Sequence, residues 1–398
     1  MSQTAACCPE VCGTAPQHPQ IWEFTVADFL VCARQDVHGL YILSPTARVA
    51  WEILKRGHTL GQAAEIFARA FGIPAEQAFE DVSRAWDEWS TGLLAPSFRT
   101  TDEATAERHA GPAPESGLGP LVFSADYLVF GKVIRLRLYD ADVAWDLTPR
   151  VEPFRITYGA DASDTDIEVS AGDAAFHVFV NGVHVSSETA VFATRVIVLQ
   201  EFLRASSSQN WAAVLHAGAC GSSSHCVLFP GTSHSGKTTL AAALVHQGMT
   251  FYGDDSIPLA EGTLPETLRV QPMPFALMAR EGSWPILSTL FPGIEDAPVV
   301  DRWGEKVRYL TPPRSVERHS PSIAAIVFAR YSAGSPTDFH AIPTFEALRR
   351  LTESGFWLEH NKVNIGSFLA WFASMPSYRL DYSDLGEATG VLHDVIPD

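Results

Sequence analysis

The sequence predicts a mixed α/β protein: an α/β domain with a β-rich N-terminal portion, preceded by a small α+β domain. Three observations lead there. A short buried-strand run at residues 226–229 passes through a glycine loop into a helical run at 238–247. Residues 121–205 hold several strand-like runs. At the front, residues 21–95 combine short β-prone runs with three helix signals.

Residues 1–20 form a Pro/Gln/Thr-rich tail carrying Cys7, Cys8 and Cys12. Only His18 is near enough to complete a metal set, so the reading is a disordered tail with reduced thiols. In 21–95, the runs 21–24 and 40–43 are β-prone, with His38-Gly39 as a turn. Residues 46–56 read as a helix ending at Gly57. Thr59-Leu60-Gly61-Gln62 has the pattern of a capping box, so a second helix runs from there to Phe71 and stops at Gly72. Pro74, whose missing N–H costs nothing in a first turn, opens a third with Phe79, Val82, Trp86 and Trp89 at helical spacing. Residues 96–120 show hardly any apolar periodicity and read as a flexible linker, with too little surface to bury against the entropy of ordering. Residues 121–398 form the larger domain. Its early strand-like runs are 121–123, 133–138 and 175–180, the last followed by Asn181-Gly182, which suits a tight hairpin. Later, 323–328 and 378–380 read as strands and 345–351 as a helix.

Composition narrows the function classes. A chain of 398 residues with 46% hydrophobic and 11% aromatic side chains can fill two or three cores. A formal charge of −18 argues against coating nucleic acid, which needs a basic surface. No apolar run approaches the roughly 20 residues that span a bilayer, and no signal-peptide order opens the chain. The expectation is a cytoplasmic protein with no membrane and no nucleic-acid partner.

The chemistry centres on Gly231-Thr232-Ser233-His234-Ser235-Gly236-Lys237-Thr238, followed by Thr239. Between a strand and a helix, this pattern makes a phosphate cradle: the loop amides and the helix N-terminus point at phosphate oxygens. Gly231, Ser233, His234, Ser235, Gly236, Lys237, Thr238 and Thr239 are the expected binding residues for ATP. Lys237 would reach the β- and γ-phosphates and the Thr238 hydroxyl would ligate Mg²⁺. Asp254 and Asp255 follow a short strand-like run. Such a pair holds Mg²⁺ and takes a proton from a hydroxyl. Asp254 is assigned as base and Asp255 as metal partner, with the reverse order left open. His216 ends an apparent strand beside the loop strand and reads as either catalytic or structural.

Together, His216, the glycine loop and the Asp254-Asp255 pair resemble the HPr kinase/phosphorylase superfamily, in particular the HPr-kinase-like enzymes of peptide natural products. That resemblance implies an α/β P-loop kinase over 121–398, with Asp254, His216 and Lys237 catalytic. Two departures stand out. His234 replaces the usual Gly, and the arginine- and asparagine-containing loop used for HPr is missing. Arg308 and Arg314 lie where relatives place cationic contacts. Residues 39–47, Trp51-Glu52-Ile53-Leu54 and Gly92-Leu93-Leu94 resemble winged-helix-like PqqD-like domains, which bind a leader peptide as an added strand. The joint implication is a kinase that holds a ribosomally made precursor peptide by its leader and phosphorylates a Ser or Thr hydroxyl of its core. Homo-oligomerisation is left open. The alternative is a nucleotide-responsive regulatory or scaffold protein with a degenerate kinase fold. A DNA reader is disfavoured, because Arg69 is the one cation in 59–71.

Overall fold

The computed structural model describes residues 21–95, 119–157, 162–172, 174–205, 211–262, 267–302, 304–311 and 320–397, and elements are counted among these. The expectations for the N-terminal tail, for nearly all of the linker and for Arg314 lie outside the described residues. The chain divides into two compact units: one of the N-terminal residues with His360–Ala373, the other of the remainder.

In the first unit, β1 (Ile21–Val26), β2 (Phe29–Arg34) and β3 (Tyr41–Leu43) form an antiparallel sheet in that order. Helices α1 (Pro45–Lys55), α2 (Leu60–Phe71) and α3 (Ala75–Thr91) follow. Their ends obey local chemistry. Ser44 Oγ accepts from the Ala47 N–H at 3.2 Å. Thr59 and Gln62 complete the capping box at 3.3 and 3.0 Å, and Gly72 closes α2 at φ 66°. One sheet face, through Leu30, Cys32 and Leu43, packs on Trp51, Leu54, Phe67 and Trp89.

The second unit begins with β4 (Phe123–Val129), β5 (Lys132–Leu138), α4 (Ala141–Val151), β6 (Thr165–Ala171), β7 (Phe176–Val180), β8 (Val183–Glu188) and α5 (Val191–Ala205). The five strands form one sheet in sequence order, with side chains of α4 and α5 sharing its core. Asn181 and Gly182, at φ 51° and 75°, make the β7–β8 hairpin turn. The next elements are β9 (Trp211–Leu215), β10 (Ala217–Gly221), β11 (His225–Pro230), α6 (Lys237–His246), β12 (Thr250–Gly253), β13 (Ile257–Glu261) and β14 (Leu268–Val270). A three-stranded sheet follows, built of β15 (Leu277–Arg280), β16 (Val299–Arg302) and β17 (Glu305–Leu310), with α7 (Trp284–Leu290) between the first two. The chain ends with β18 (Ser322–Tyr331), β19 (Asp338–Ala341), α8 (Thr344–Ser354), β20 (Phe356–Leu358), α9 (Lys362–Ser374), β21 (Ser377–Tyr382) and α10 (Leu385–His393). Strands β9 to β14 and β18 to β21 form a ten-stranded central sheet.

Within that sheet, β10 is antiparallel to both β11 and β12, while β18 runs parallel to β11 and to β21. Strands β12, β11, β18 and β21 therefore all point the same way. Their C-terminal ends share one edge of the sheet, the edge where α/β proteins hold ligands.

Helix α9 belongs to the first unit, although it comes late in the chain. Every residue of β2 is buried, including Phe29, Val31 and Ala33 on the face opposite α1 to α3. The β1–β2 register places Trp22 and Phe24 on that same face. Gly366 of α9 lies against the Phe24 ring, 3.4 Å from where a Cβ would stand. His360 Nε2 donates to the Arg34 carbonyl at 2.6 Å, and its ring meets those of Trp22 and His38. Ile365, Phe368, Leu369, Trp371 and Phe372 of α9 are buried.

A fragment of residues 21–95 alone should therefore melt lower and bind a hydrophobic dye, and joining residues 360–373 through a flexible linker should restore cooperative unfolding. Equal stability of the two fragments would remove α9 from this core. In the full chain, Phe368→Ala should cost about 3–5 kcal/mol, as a large buried aromatic does.

Candidate functional site

The loop between β11 and α6 is shaped by its backbone. Cys226 to Phe229 are fully buried, so the strand is enclosed up to Pro230. His234 and Gly236 both take left-handed conformations, φ 67° and 94°. His234 thus adopts the conformation that favours glycine, one that histidine tolerates better than most residues. At Gly236 the requirement is stricter, since a Cβ would come within 2.6 Å of the Tyr382 hydroxyl. Ser233 is exposed at the loop apex, and Thr239 starts the first turn of α6.

Lys237 is 7% exposed, and its Nζ donates to the carbonyls of Gly231 at 2.6 Å and Thr232 at 2.9 Å. Burial pushes its pKa down, against the opposing pull of Asp254 and Asp255. Ser235 Oγ is buried without a hydrogen-bond partner. A lysine folded onto its own loop and an orphaned hydroxyl beside it fit an anion in the cradle, because an unsatisfied buried polar group costs about 1–3 kcal/mol.

The two carboxylates diverge. Strand β12 ends at Gly253, where a Cβ would strike Ile257 and the Met273 carbonyl. Asp254, 3% exposed, accepts from Thr238 Oγ1 at 2.8 Å. Asp255 sits at φ 78°, which turns its side chain elsewhere. Its carboxylate meets Arg150 Nη2 at 3.5 Å, His216 Nδ1 at 3.5 Å and Arg302 Nη1 at 4.0 Å. Of the two carboxylates, it is Asp254 rather than Asp255 that pairs with Thr238. The strand direction carries Asp254 to Thr238, and the left-handed residue after it points away. Burial and the neighbouring Asp255 charge push Asp254's carboxyl above the usual range. For Asp255, burial acts upward too, but Arg150, His216 and Arg302 outweigh it and hold the carboxyl below the usual range.

His216 lies between β9 and β10, and its Nδ1 donates to the Asp255 carbonyl at 3.0 Å. The strand it ends does not neighbour the loop strand. Strand β9 pairs with β13 and β20, and β10 is the neighbour of β11.

Sequence reasoning missed Arg150, Arg302 and Tyr331. Arg150, 4% exposed on α4, donates to the carbonyl of Ala276 and, at 3.4 Å, to that of Asp254. It comes from the five-stranded region, about a hundred residues upstream, where no local signal marks it. Arg308 is engaged elsewhere: Nη1 donates to the Ile294 carbonyl at 2.7 Å, and the guanidinium sits over Trp284. Glu305 bridges Arg280 at 2.9 Å and the exposed His234 at 3.2 Å. A cavity of about 700 Å³ flanks the loop. One wall runs through Arg280, Ile286 and Lys306, the other through Tyr331, Tyr382 and Leu385. Among the described residues no group of three or more His, Cys, Asp or Glu is placed to hold a metal ion. Thr238 and Asp254 suit Mg²⁺ in the way that ion is commonly held, by one or two protein oxygens with phosphate and water. Nor does any described helix have the length and apolarity to cross a membrane.

No family model matches the chain, and no curated protein matches it. Among solved structures, the HPr(Ser) kinase/phosphatase from Coxiella burnetii is similar over 46% of this chain and 94% of its own, at 12% identity and a TM-score of 0.21. A likeness of that size carries no weight for fold or activity, so the side-chain geometry has to stand alone.

The two carboxylates should affect metal-free stability in opposite directions. Asp254→Asn removes a charge that burial disfavours and should raise the melting temperature at pH 7. Asp255→Asn leaves Arg150 without its counter-charge and should cost about 1–3 kcal/mol, and Asn tolerates the left-handed backbone. Because the folded Asp255 pKa is depressed, its stabilisation is present at neutral pH. The deficit of Asp255→Asn should shrink as pH falls below about 4. Thermal melts from pH 3 to 8 read both signs.

Proposed function

We propose that this protein is an ATP-dependent kinase transferring phosphate to a hydroxyl. The observation that carries the reading is the Thr238–Asp254 hydrogen bond beside a complete phosphate loop, with a second carboxylate, Asp255, turned to the other side. Loop amides and Lys237 bind and orient the phosphates. Thr238 and Asp254 would hold Mg²⁺, which would supply charge neutralisation for the phosphates. Asp255, oriented by His216 and Arg150, accepts the hydroxyl proton as the new bond forms. This exchanges the roles first assigned to the two carboxylates. A base below the usual carboxylate range takes its proton late, which suits a loose phosphoryl-transfer transition state. His234 is the residue that weighs for the scaffold alternative with a degenerate fold. Its φ of 67° fits the loop, and no observation favours a degenerate site.

Lys237→Ala should abolish transfer while circular dichroism stays native. Asp254→Asn should raise the Mg²⁺ requirement and recover partly at high Mg²⁺, whereas Asp255→Asn should lose kcat at every Mg²⁺ concentration. Recovery of Asp255→Asn rather than Asp254→Asn would restore the original order.

For the acceptor, we infer a ribosomally made precursor peptide. The first unit, with its PqqD-like sequence pattern, has β3 at the edge of its sheet, with no further strand paired to it among the described residues, which supports leader binding by strand addition. Docking the leader raises the effective concentration of the core at the kinase. The expected product is a core peptide heavier by one phosphate, about 80 Da, on Ser or Thr. Leader added in trans should inhibit turnover of the full precursor but not of a leaderless core. Equal turnover of both substrates, untouched by free leader, would remove the leader from the reading.

A further inference from the structure

The common direction of β12, β11, β18 and β21 gives the phosphate loop two unlike sides. Strand β12 ends at Gly253 and is followed directly by Asp254 and Asp255. On the other side, β18 ends at Tyr331 and β21 at Tyr382, with Ser383, Asp384 and Leu385 following. A triphosphate with its terminal phosphate near Thr238 and Asp254 runs along the N-terminus of α6. Its nucleoside then leaves on the side away from the carboxylates, into the part of the cavity lined by Thr239, Tyr331 and Leu385.

Tyr331 is arranged for contact there. It is 52% exposed although it stands at the end of a buried strand. Its backbone N–H donates to the Ser235 carbonyl at 3.0 Å, which ties the residue to the phosphate loop. Its ring meets the fully buried Tyr382 edge to face at a centroid distance of 5.8 Å. The Tyr382 hydroxyl in turn donates to the Gly236 carbonyl at 3.2 Å. The ring is braced by Tyr382 and the backbone by the phosphate loop, and the residue lines the cavity beside the loop. An aromatic side chain already fixed in this way loses little further freedom when a flat ligand lies on it.

We propose that Tyr331 is the nucleobase platform of this site, stacking a purine on the exposed part of its ring. The assignment rests on the nucleotide reading of the phosphate loop and goes beyond it, because nothing in the glycine motif says where the base lies. Stacking requires only a π-face, so the wider purine ring system gains more than a pyrimidine.

The test is calorimetric binding of ATP, CTP and tripolyphosphate, each with Mg²⁺, to the full chain and to Tyr331→Ala and Tyr331→Phe. Tyr331→Ala keeps the Cβ and the backbone N–H on Ser235. It should weaken ATP binding about five- to 150-fold, the span that about 1–3 kcal/mol of base–aromatic stacking corresponds to. Tripolyphosphate, which lacks a base, should bind the Ala variant as it binds the wild type. Tyr331→Phe should keep most of the ATP affinity, and wild type should prefer ATP to CTP. If ATP and tripolyphosphate weaken together, Tyr331 supports the loop rather than the base; if neither weakens, the base lies elsewhere. Either result overturns the proposal while leaving the phosphate loop intact. Failure of the wild type to bind ATP and tripolyphosphate alike would overturn the nucleotide reading and this one with it.

Discussion

A buried carboxylate beside a buried lysine is the constraint around which the second unit is organised. Asp254 is 3% exposed and close to Asp255, so its charge is costly unless something answers it. Thr238 answers with a hydrogen bond and thereby fixes the start of α6 against the end of β12. Arg150 reaches in from α4 to the Asp254 carbonyl and the Asp255 carboxylate. The left-handed turn at Asp255 keeps the second charge off the first. Remove the Thr238 bond and the loop, the acid pair and the arginine lose their common reference.

Such an arrangement costs stability. Strain at Asp255, a desolvated Lys237 and an orphaned Ser235 hydroxyl are all unfavourable in a protein that only has to fold. They coincide at one sheet edge, which is why the site can be recognised from its energetics as well as from its motif.

Much of this was legible in the sequence where the signal is local. The glycine loop, the capping box at Thr59 and the Asn181-Gly182 hairpin each depend on a few consecutive residues. Elements buried on more than one side gave no periodic signal: β2, closed on both faces, was not read as a strand. Helix α4, with Pro149 in its last turn, and α5, which buries Thr194, Arg195 and Glu201, were passed over within a stretch read as strands. The site divided in the same way. Lys237, Thr238 and the acid pair could be found, but the split between Asp254 and Asp255 hangs on the sign of one φ angle, which composition does not encode. Arg150, Arg302 and Tyr331 become neighbours of the loop only through sheet pairing.

Helix α9 has a consequence for how the chain is born. The face of β2 that it covers leaves the ribosome early, while α9 follows about 330 residues later. At about 5–20 residues per second, that is a wait of roughly 16–65 s. Through that interval Phe29 and Val31 lack the partner that finally encloses them. The N-terminal unit therefore matures late despite being made first, and a nascent chain truncated before residue 360 presents an apolar sheet face to whatever quality control meets it.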